Sequence, residues 1–143
     1  MTYFERSMVT QLASAKDLTG SAVASTNVHT SAGYGQHTLY IQYDPDTNST
    51  NAMEVTIELS PDYDAVSGAG TWFPYTGEYS GATGTITEGA QVVLSFPSDG
   101  TAAQNEPPYF FVGSAMGIRI KASETNTPAD FGSYTAWIIS SQP

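Results

Sequence analysis

The stretch Met53-Glu54-Val55-Thr56-Ile57-Glu58-Leu59-Ser60 decides the fold class of this chain. Apolar and polar side chains alternate along it with a period of two, which is the pattern of a β-strand with one buried and one solvated face. Both glutamates are therefore expected on the solvent side. The sequence Ser60-Pro61-Asp62 ends the strand, because proline has no backbone N–H to donate to a sheet.

Comparable strand patterns recur on both sides of this stretch. Further strands are predicted at residues 39–43, 71–75, 92–96, 109–112, 118–122 and 134–139, with a weaker one within 19–29. Residues 11–17 are expected to form one helical turn at most. The sequence therefore predicts an all-β chain that folds as an antiparallel two-sheet β-sandwich, jelly-roll-like, with about eight strands.

The composition restricts the possible partners of the chain. Its 143 residues include 14 Asp and Glu against 4 Lys and Arg, for a formal net charge of −10, and no cysteine. Such a chain cannot neutralise a row of phosphates, so nucleic acid is excluded as a partner. The lack of cysteine excludes disulfides and thiol catalysis. No signal-peptide pattern and no bilayer-length apolar run occurs, so synthesis in a cytoplasm and no membrane contact are expected.

The length is that of one domain. We expect residues 11–143 to form a single β-sandwich domain and residues 1–10 to form an N-terminal arm. The arm contains Tyr3, Phe4, Met8 and Val9, which are apolar anchors of the kind that bind a neighbouring subunit. It is expected to be ordered by subunit contacts and mobile in the isolated protein.

Groups able to carry catalysis are few. His29 and His37 are the only histidines, and both are expected at the surface or a sheet edge without a role. Glu54 and Glu58 lie about 13 Å apart along one strand, farther than the carboxylates of glycosidases. The motifs of serine hydrolases, zinc proteases and P-loop enzymes are absent. The sequence therefore predicts no enzyme, no catalytic residue, no cofactor and no metal.

Two acidic turns leave one alternative open. The segment Asp44-Pro45-Asp46-Thr47-Asn48 begins like an EF-hand loop, but Ser49 replaces the required glycine and Val55 the final glutamate. The EF-hand interpretation fails on these two positions. A looser calcium site there, or at Asp62 and Asp64, remains the alternative to a solvated turn.

Two other clusters each allow two interpretations. Trp72, Tyr75 and Tyr79 belong to an aromatic cluster that either fills the core or forms a platform for a sugar ring. Arg119 and Lys121 are half of the basic residues and share one face of a predicted strand. They either form ion pairs on their own sheet or contact an acidic neighbouring subunit.

The chain resembles the auxiliary virion proteins of tailed bacteriophages, of the head decoration or cement type. The resemblance rests on five segments: residues 33–43, residues 53–61, Thr71-Trp72-Phe73, residues 118–123 and Ala136-Trp137-Ile138. It implies a non-enzymatic structural protein on the capsid exterior, made in the host cytoplasm. Its partners would be the major capsid protein, whose neighbouring subunits it would bridge, and copies of itself in a homotrimer.

Two further functions remain as alternatives to decoration. A carbohydrate-binding or host-attachment module would use Trp72, Tyr75 and Tyr79 as an exposed platform. A jelly-roll subunit that itself builds a shell or fibre would assemble into large particles when purified.

Overall fold

The structure, a computed structural model, describes residues 7–31, 34–46, 50–77, 91–100, 103–125 and 131–141. These residues form strands and connecting segments and contain no helix, and therefore none long and apolar enough to cross a membrane. The strands are β1 (Ser7–Asp17), β2 (Val23–Ala24), β3 (His29–Thr30), β4 (Gln36–Asp44), β5 (Ala52–Ser60), β6 (Phe73–Pro74), β7 (Val93–Pro97), β8 (Gln104–Asn105), β9 (Tyr109–Val112), β10 (Gly117–Thr125) and β11 (Ser133–Ser141).

The strands form two antiparallel sheets. Sheet A has the order β1-β11-β4-β8, with β9 also paired to β4. Sheet B has the order β2-β10-β5-β6, with β3 also paired to β10 and β7 also paired to β5. The predicted all-β, two-sheet antiparallel sandwich is confirmed.

The strand order is that of a jelly roll with eight strand positions. Three positions are each filled by two short strands along the same neighbour: β2 with β3, β6 with β7, and β8 with β9. When the eight positions are numbered along the chain, position 1 (β1) pairs with position 8 (β11), and position 3 (β4) with position 6 (β8 and β9), in sheet A. Position 2 (β2 and β3) pairs with position 7 (β10), and position 4 (β5) with position 5 (β6 and β7), in sheet B. This is the order produced when one long hairpin is rolled up into two sheets. The prediction of about eight strands is confirmed at this level.

The core lies between the sheets and follows the alternation in the sequence. In β5 the apolar set Met53, Val55 and Ile57 is fully buried, while the residues between them are half-buried on the other face. Strands β4, β10 and β11 alternate in the same way, and together with β5 they supply most of the buried apolar side chains. The four nine-residue strands in which buried residues alternate with less buried ones, β4, β5, β10 and β11, are thus the central strands of the two sheets.

Strand β1 shows that the expectation of a helical turn at residues 11–17 is wrong. The chain there stays paired to β11, with register shifts after Gln11 and after Ala13, and Ala15 has a φ of +43°. These bulges allow Leu12 and Ala13, which are adjacent, both to be buried. Residues 7–10 of the predicted arm belong to this same strand.

Candidate functional site: an uncharged apolar face on sheet A

The outward side of sheet A is made of cross-strand rows that the register defines. The first four rows contain no charged residue: Ser7, Ser141, Gln36 and Val112; Val9, Ile139, Thr38 and Phe110; Gln11, Trp137 and Tyr40; Thr135, Gln42 and Asn105. Carboxylates begin only in the fifth row, at Asp17 and Asp44. In a chain with net charge −10, this is a large uncharged surface.

The same rows expose large apolar side chains. The exposed fractions are 62% for Val9, 58% for Phe110, 49% for Val112 and 39% for Tyr40, and Trp137 and Ile139 between them are half-buried. We call these six residues the apolar face. Because they are neighbours on four adjacent strands, they form one patch, and a patch of this kind on a soluble protein marks a contact surface.

A groove of about 530 Å³ lies in this face. Val9, Tyr40, Trp137 and Ile139 line it together with Ile41. Its polar rim contains Gln42 and Asn105, whose side chains are joined by a 2.9 Å hydrogen bond from Gln42 Nε2 to Asn105 Oδ1, and Glu106. The groove is therefore an apolar channel with one carboxylate at its edge.

The outward side of sheet B differs in its chemistry. Arg119 lies directly across from Glu58 in the sheet register, and its Nε donates to Glu58 Oε1 at 2.8 Å. The guanidinium of Arg119 also lies 4.1 Å from the centroid of the Trp72 ring, a favourable cation–π geometry. Arg119 is thus engaged within the chain, whereas Lys121 has no ion pair among the described residues. A subunit contact through these two residues stays a prediction.

The aromatic rings of the predicted platform lie in different surroundings. The Trp72 ring packs beside Tyr63, with 5.7 Å between centroids, and under Arg119. The Tyr75 ring packs on Phe111 of the core, with 5.3 Å between centroids. Tyr79 lies outside the described residues. The role of these rings as a ligand platform stays a prediction.

The predicted arm residues are placed in part. Met8 is half-buried in β1, and Val9 is on the outward side of sheet A at the groove. Tyr3 and Phe4 lie outside the described residues. The role of all four as interface anchors stays a prediction.

Both histidines are fully buried, at 0% exposure, so the expectation of surface positions is wrong, although His29 lies in the edge strand β3. They belong to a chain of hydrogen bonds between the sheets: Thr10 Oγ1 to His29 Nδ1 (2.7 Å), His29 Nε2 to Ser140 Oγ (2.7 Å), Ser140 Oγ to His37 Nδ1 (2.6 Å) and His37 Nε2 to the Gly113 carbonyl (2.8 Å). We call this the histidine relay.

With both rings neutral, the carbonyl at one end fixes the direction of every proton in the relay. Because the Gly113 oxygen only accepts, His37 Nε2 carries a hydrogen and His37 Nδ1 accepts from the Ser140 hydroxyl. Ser140 Oγ then accepts from His29 Nε2, and His29 Nδ1 accepts from the Thr10 hydroxyl. Both rings are neutral in this pattern. The relay satisfies two buried rings and connects β3 of sheet B to β1, β4 and β11 of sheet A.

Burial keeps both rings uncharged. It lowers the pKa of His29 to about 4, and the neighbouring His37 adds to this effect. Burial also lowers the pKa of His37, and the hydrogen bond to Gly113 opposes this in part. Neither ring reaches solvent, and every ring nitrogen already has a partner within the fold, so the relay is structural.

A second buried polar group lies at the other end of the sandwich. Glu124, which is 1% exposed, accepts a short hydrogen bond from the Tyr43 hydroxyl at Oε2 and a 2.9 Å bond from the Gly132 N–H at Oε1. A Cβ at position 132 would lie 2.0 Å from the Asp44 carbonyl oxygen, so only glycine allows this approach. Burial, followed by the hydrogen bond to Glu124, raises the pKa of Tyr43. The carboxylate thus connects β10, β4 and the segment before β11.

Tyr134, which is paired with Tyr43 across β11 and β4, tests how much a buried tyrosine hydroxyl without a hydrogen-bond partner changes stability. Its hydroxyl is buried and has no partner among the described residues, and burial raises its pKa to about 12. We expect Tyr134→Phe to leave the free energy of unfolding unchanged or to raise it by about 1 kcal/mol, because it removes an unpaired buried hydroxyl. Tyr43→Phe is the matched variant and should lower it by about 2 kcal/mol. Urea denaturation measures both, and an equal loss in the two variants would contradict the assignment.

The carboxylates of the acidic turns accept hydrogen bonds from nearby residues. In the first turn Asp44 Oδ1 accepts from the Asp46 N–H at 3.1 Å, and Thr47 and Asn48 lie outside the described residues. Asp62 accepts from the Thr71 N–H (2.7 Å), the Thr71 hydroxyl (2.8 Å) and the Ser60 hydroxyl (3.0 Å), and these bonds lower its pKa. Asp64 accepts from the Val66 N–H (2.9 Å), which lowers its pKa. In the parts of the chain that the structure describes, no group of three or more His, Asp or Glu side chains is arranged to hold a metal ion.

Comparisons with known proteins find distant similarities to solved structures. No family model and no curated protein matches the chain. The solved structures that are similar include the infectious bursal disease virus VP2 subviral particle, at 12% identity and a TM-score of 0.45, covering 96% of this chain and 32% of that chain. Infectious bursal virus derived T=1 particles match at 10% identity and a TM-score of 0.40, covering 96% and 32%. This chain spans about a third of the length of either neighbour.

Proposed function

We propose that this chain is a non-enzymatic virion structural protein that decorates or cements the outside of a bacteriophage capsid. Its partners in this proposal are the major capsid protein, whose neighbouring subunits it bridges, and copies of itself in a homotrimer. The observation that carries the proposal is the apolar face of sheet A, uncharged over four rows in a chain of net charge −10.

The charge distribution favours contact between copies at this face. Molecules of net charge −10 repel one another, so association is favoured at a surface where unpaired carboxylates are few. The apolar face meets that condition, and its Trp and Tyr are residue types enriched at the centre of interfaces. The remaining acidic surface keeps free copies soluble before assembly.

The interior supports a structural role as opposed to a catalytic one. The two histidines, which are the usual general bases, are sealed between the sheets and saturated by the relay. Lys121 and the ion-paired Arg119 on sheet B are the proposed contacts to an acidic neighbouring subunit. The segment with Tyr3 and Phe4 supplies further anchors, beside Met8 and Val9 in β1.

The proposal is tested on purified virions of the virus whose genome encodes the chain. An antibody against the purified protein should label the outside of intact particles, and mass spectrometry should find the chain in stoichiometric amounts. Particles made without the chain should release their DNA at a lower temperature. Detection of the chain only in the soluble fraction of infected cells would exclude a virion role.

A charge placed in the apolar face should break self-association. We expect Val9→Glu to weaken association of the purified protein at least tenfold, since a carboxylate buried without a partner costs more than about 1.4 kcal/mol. Val93→Glu is the control, because Val93 is also an edge-strand valine, 52% exposed, but on sheet B. Sedimentation equilibrium measures both constants. Equal weakening in the two variants would count against the apolar face.

A further inference from the structure

The groove in the apolar face has a specific chemistry. Its lining side chains from Val9, Tyr40, Trp137 and Ile139 fit apolar or aromatic rings. Glu106 at the rim accepts a hydrogen bond from Gln104 and has no cationic partner among the described residues. An occupant that matches the groove therefore has apolar side chains for the lining and a cation that can reach Glu106.

One segment of this chain has that composition. Residues 1–6, Met-Thr-Tyr-Phe-Glu-Arg, contain two aromatic side chains at Tyr3 and Phe4 and one of the four basic residues at Arg6. A groove of about 530 Å³ is within the range that holds a ligand of drug-like size, and a short extended segment that inserts one aromatic ring is of that order. Arg6 would supply the cation that faces Glu106.

The direction of β1 decides which copy provides the segment. Ser7 pairs with Ser141 in the first row of the face, and the groove lies in rows two to four. Strand β1 therefore begins at the end of the face that is away from the groove, and a segment preceding Ser7 would reach its own groove only by reversing direction. Residues 1–6 contain no Gly, Pro, Asn or Asp, which are the residue types that favour tight turns. A second molecule is therefore the expected host of the segment.

We infer that residues 1–6 of one copy bind in the sheet A groove of a second copy, with Phe4 on the apolar lining, Arg6 on the same side of the segment at Glu106, and Tyr3 on the opposite side. This inference rests on the proposed function in that it takes self-association for granted. The contact joins two different surfaces, and the homotrimer of the proposed function requires that its rotation closes after three copies. Six extended residues span about 20 Å, enough to cross from β1 to β8 at about 4.8 Å per strand.

The absence of native cysteine allows a direct test in the full-length protein. One preparation contains Phe4→Cys and a second contains Gln42→Cys, and the two are mixed and oxidised. In the mixture we expect a disulfide between positions 4 and 42 in a species of twice the monomer mass, identified by peptide mapping. Phe4→Cys mixed with Ser95→Cys is the control, because Ser95 is exposed on sheet B, and its yield should be at least tenfold lower.

A double variant with both cysteines in one chain tests whether the segment binds the groove of its own chain instead. A 4–42 disulfide that forms within single chains, and not in the mixture, would show that the segment folds back on its own groove and would overturn the inference. Absence of the disulfide in both preparations, with unchanged thermal unfolding, would also overturn it. Either failure leaves the presence of the chain in virions untouched, so the proposed function is judged separately.

Discussion

Replacing Glu124 with leucine is expected to lower the free energy of unfolding by about 4 kcal/mol, because it leaves two buried donors without an acceptor at about 1–3 kcal/mol each. The donors are the Tyr43 hydroxyl and the Gly132 N–H. The Gly132 N–H belongs to backbone that is packed closely against Asp44, and the Tyr43 side chain is fully buried. Leucine has similar volume to glutamate, so the loss reflects the hydrogen bonds and not a cavity. Urea denaturation measures the effect.

Glu54→Leu is the matched control for this substitution. Glu54 lies in β5 on the half-exposed outward side of sheet B, across from Ser123, and its replacement should change stability by no more than about 0.5 kcal/mol. Glu124→Gln should fall between the two, because the amide retains one acceptor oxygen. If Glu124→Leu and Glu54→Leu were equally stable, the buried carboxylate would have no role in joining the sheets.

Acid is expected to destabilise the protein through the histidine relay. The unfolded chain binds a proton at His29 below about pH 6.5, whereas in the fold the pKa of His29 is about 4. Between these two values the unfolded state holds more protons, so stability is complete above pH 6.5 and falls as the pH is lowered toward 4. At 1.36 kcal/mol per pH unit, His29 alone accounts for a loss of about 3 kcal/mol. The lowered pKa of His37 acts in the same direction.

The variant His29→Gln isolates this contribution from the carboxylates that titrate nearby. Glutamine offers one acceptor and one donor but does not titrate, so the decline between pH 6.5 and 4 should be smaller than in the unchanged protein by about 3 kcal/mol. Identical pH profiles would refute the relay as the source. Nitrogen-15 spectra of the two rings should also show both with the hydrogen on Nε2 and with Nδ1 unprotonated.

The β-sandwich was predictable because its strands are local patterns. The alternation of Met53, Val55 and Ile57 with polar residues specifies a strand and its buried face with no information from the rest of the chain. The helical turn expected near residue 12 was wrong for the opposite reason. Leu12 and Ala13 break the alternation, and only the partner strand β11, more than a hundred residues away, makes them part of a bulged strand.

The buried histidines could not be predicted for the same reason. Two isolated histidines in a polar segment indicate exposure, and their actual environment depends on Thr10, Ser140 and Gly113, which are distant in sequence from one or both rings. No spacing rule connects these positions. Burial and the lowered pKa of His29 follow only from the packing of β3 on sheet A.

The apolar face did leave a signal in the sequence. Trp137-Ile138-Ile139 and Leu39-Tyr40-Ile41 are apolar on both faces of their strands, which is the pattern of strands covered on both sides. Arg119 and Lys121 were predicted as interface residues because basic residues are rare in the chain. In the structure the charge-free surface lies on the other sheet, and the rows that define it depend on the register of four strands.

The position of β11 has a consequence for how the protein is made. It is the last of the described strands along the chain, yet it lies inside sheet A between the first of them and β4. Synthesis on the ribosome proceeds from the amino end, so β1 and β4 are made well before the strand that pairs with both of them. Sheet A is therefore closed by residues 133–141, the most C-terminal of the described strands, and until they insert β1 and β4 have no shared partner.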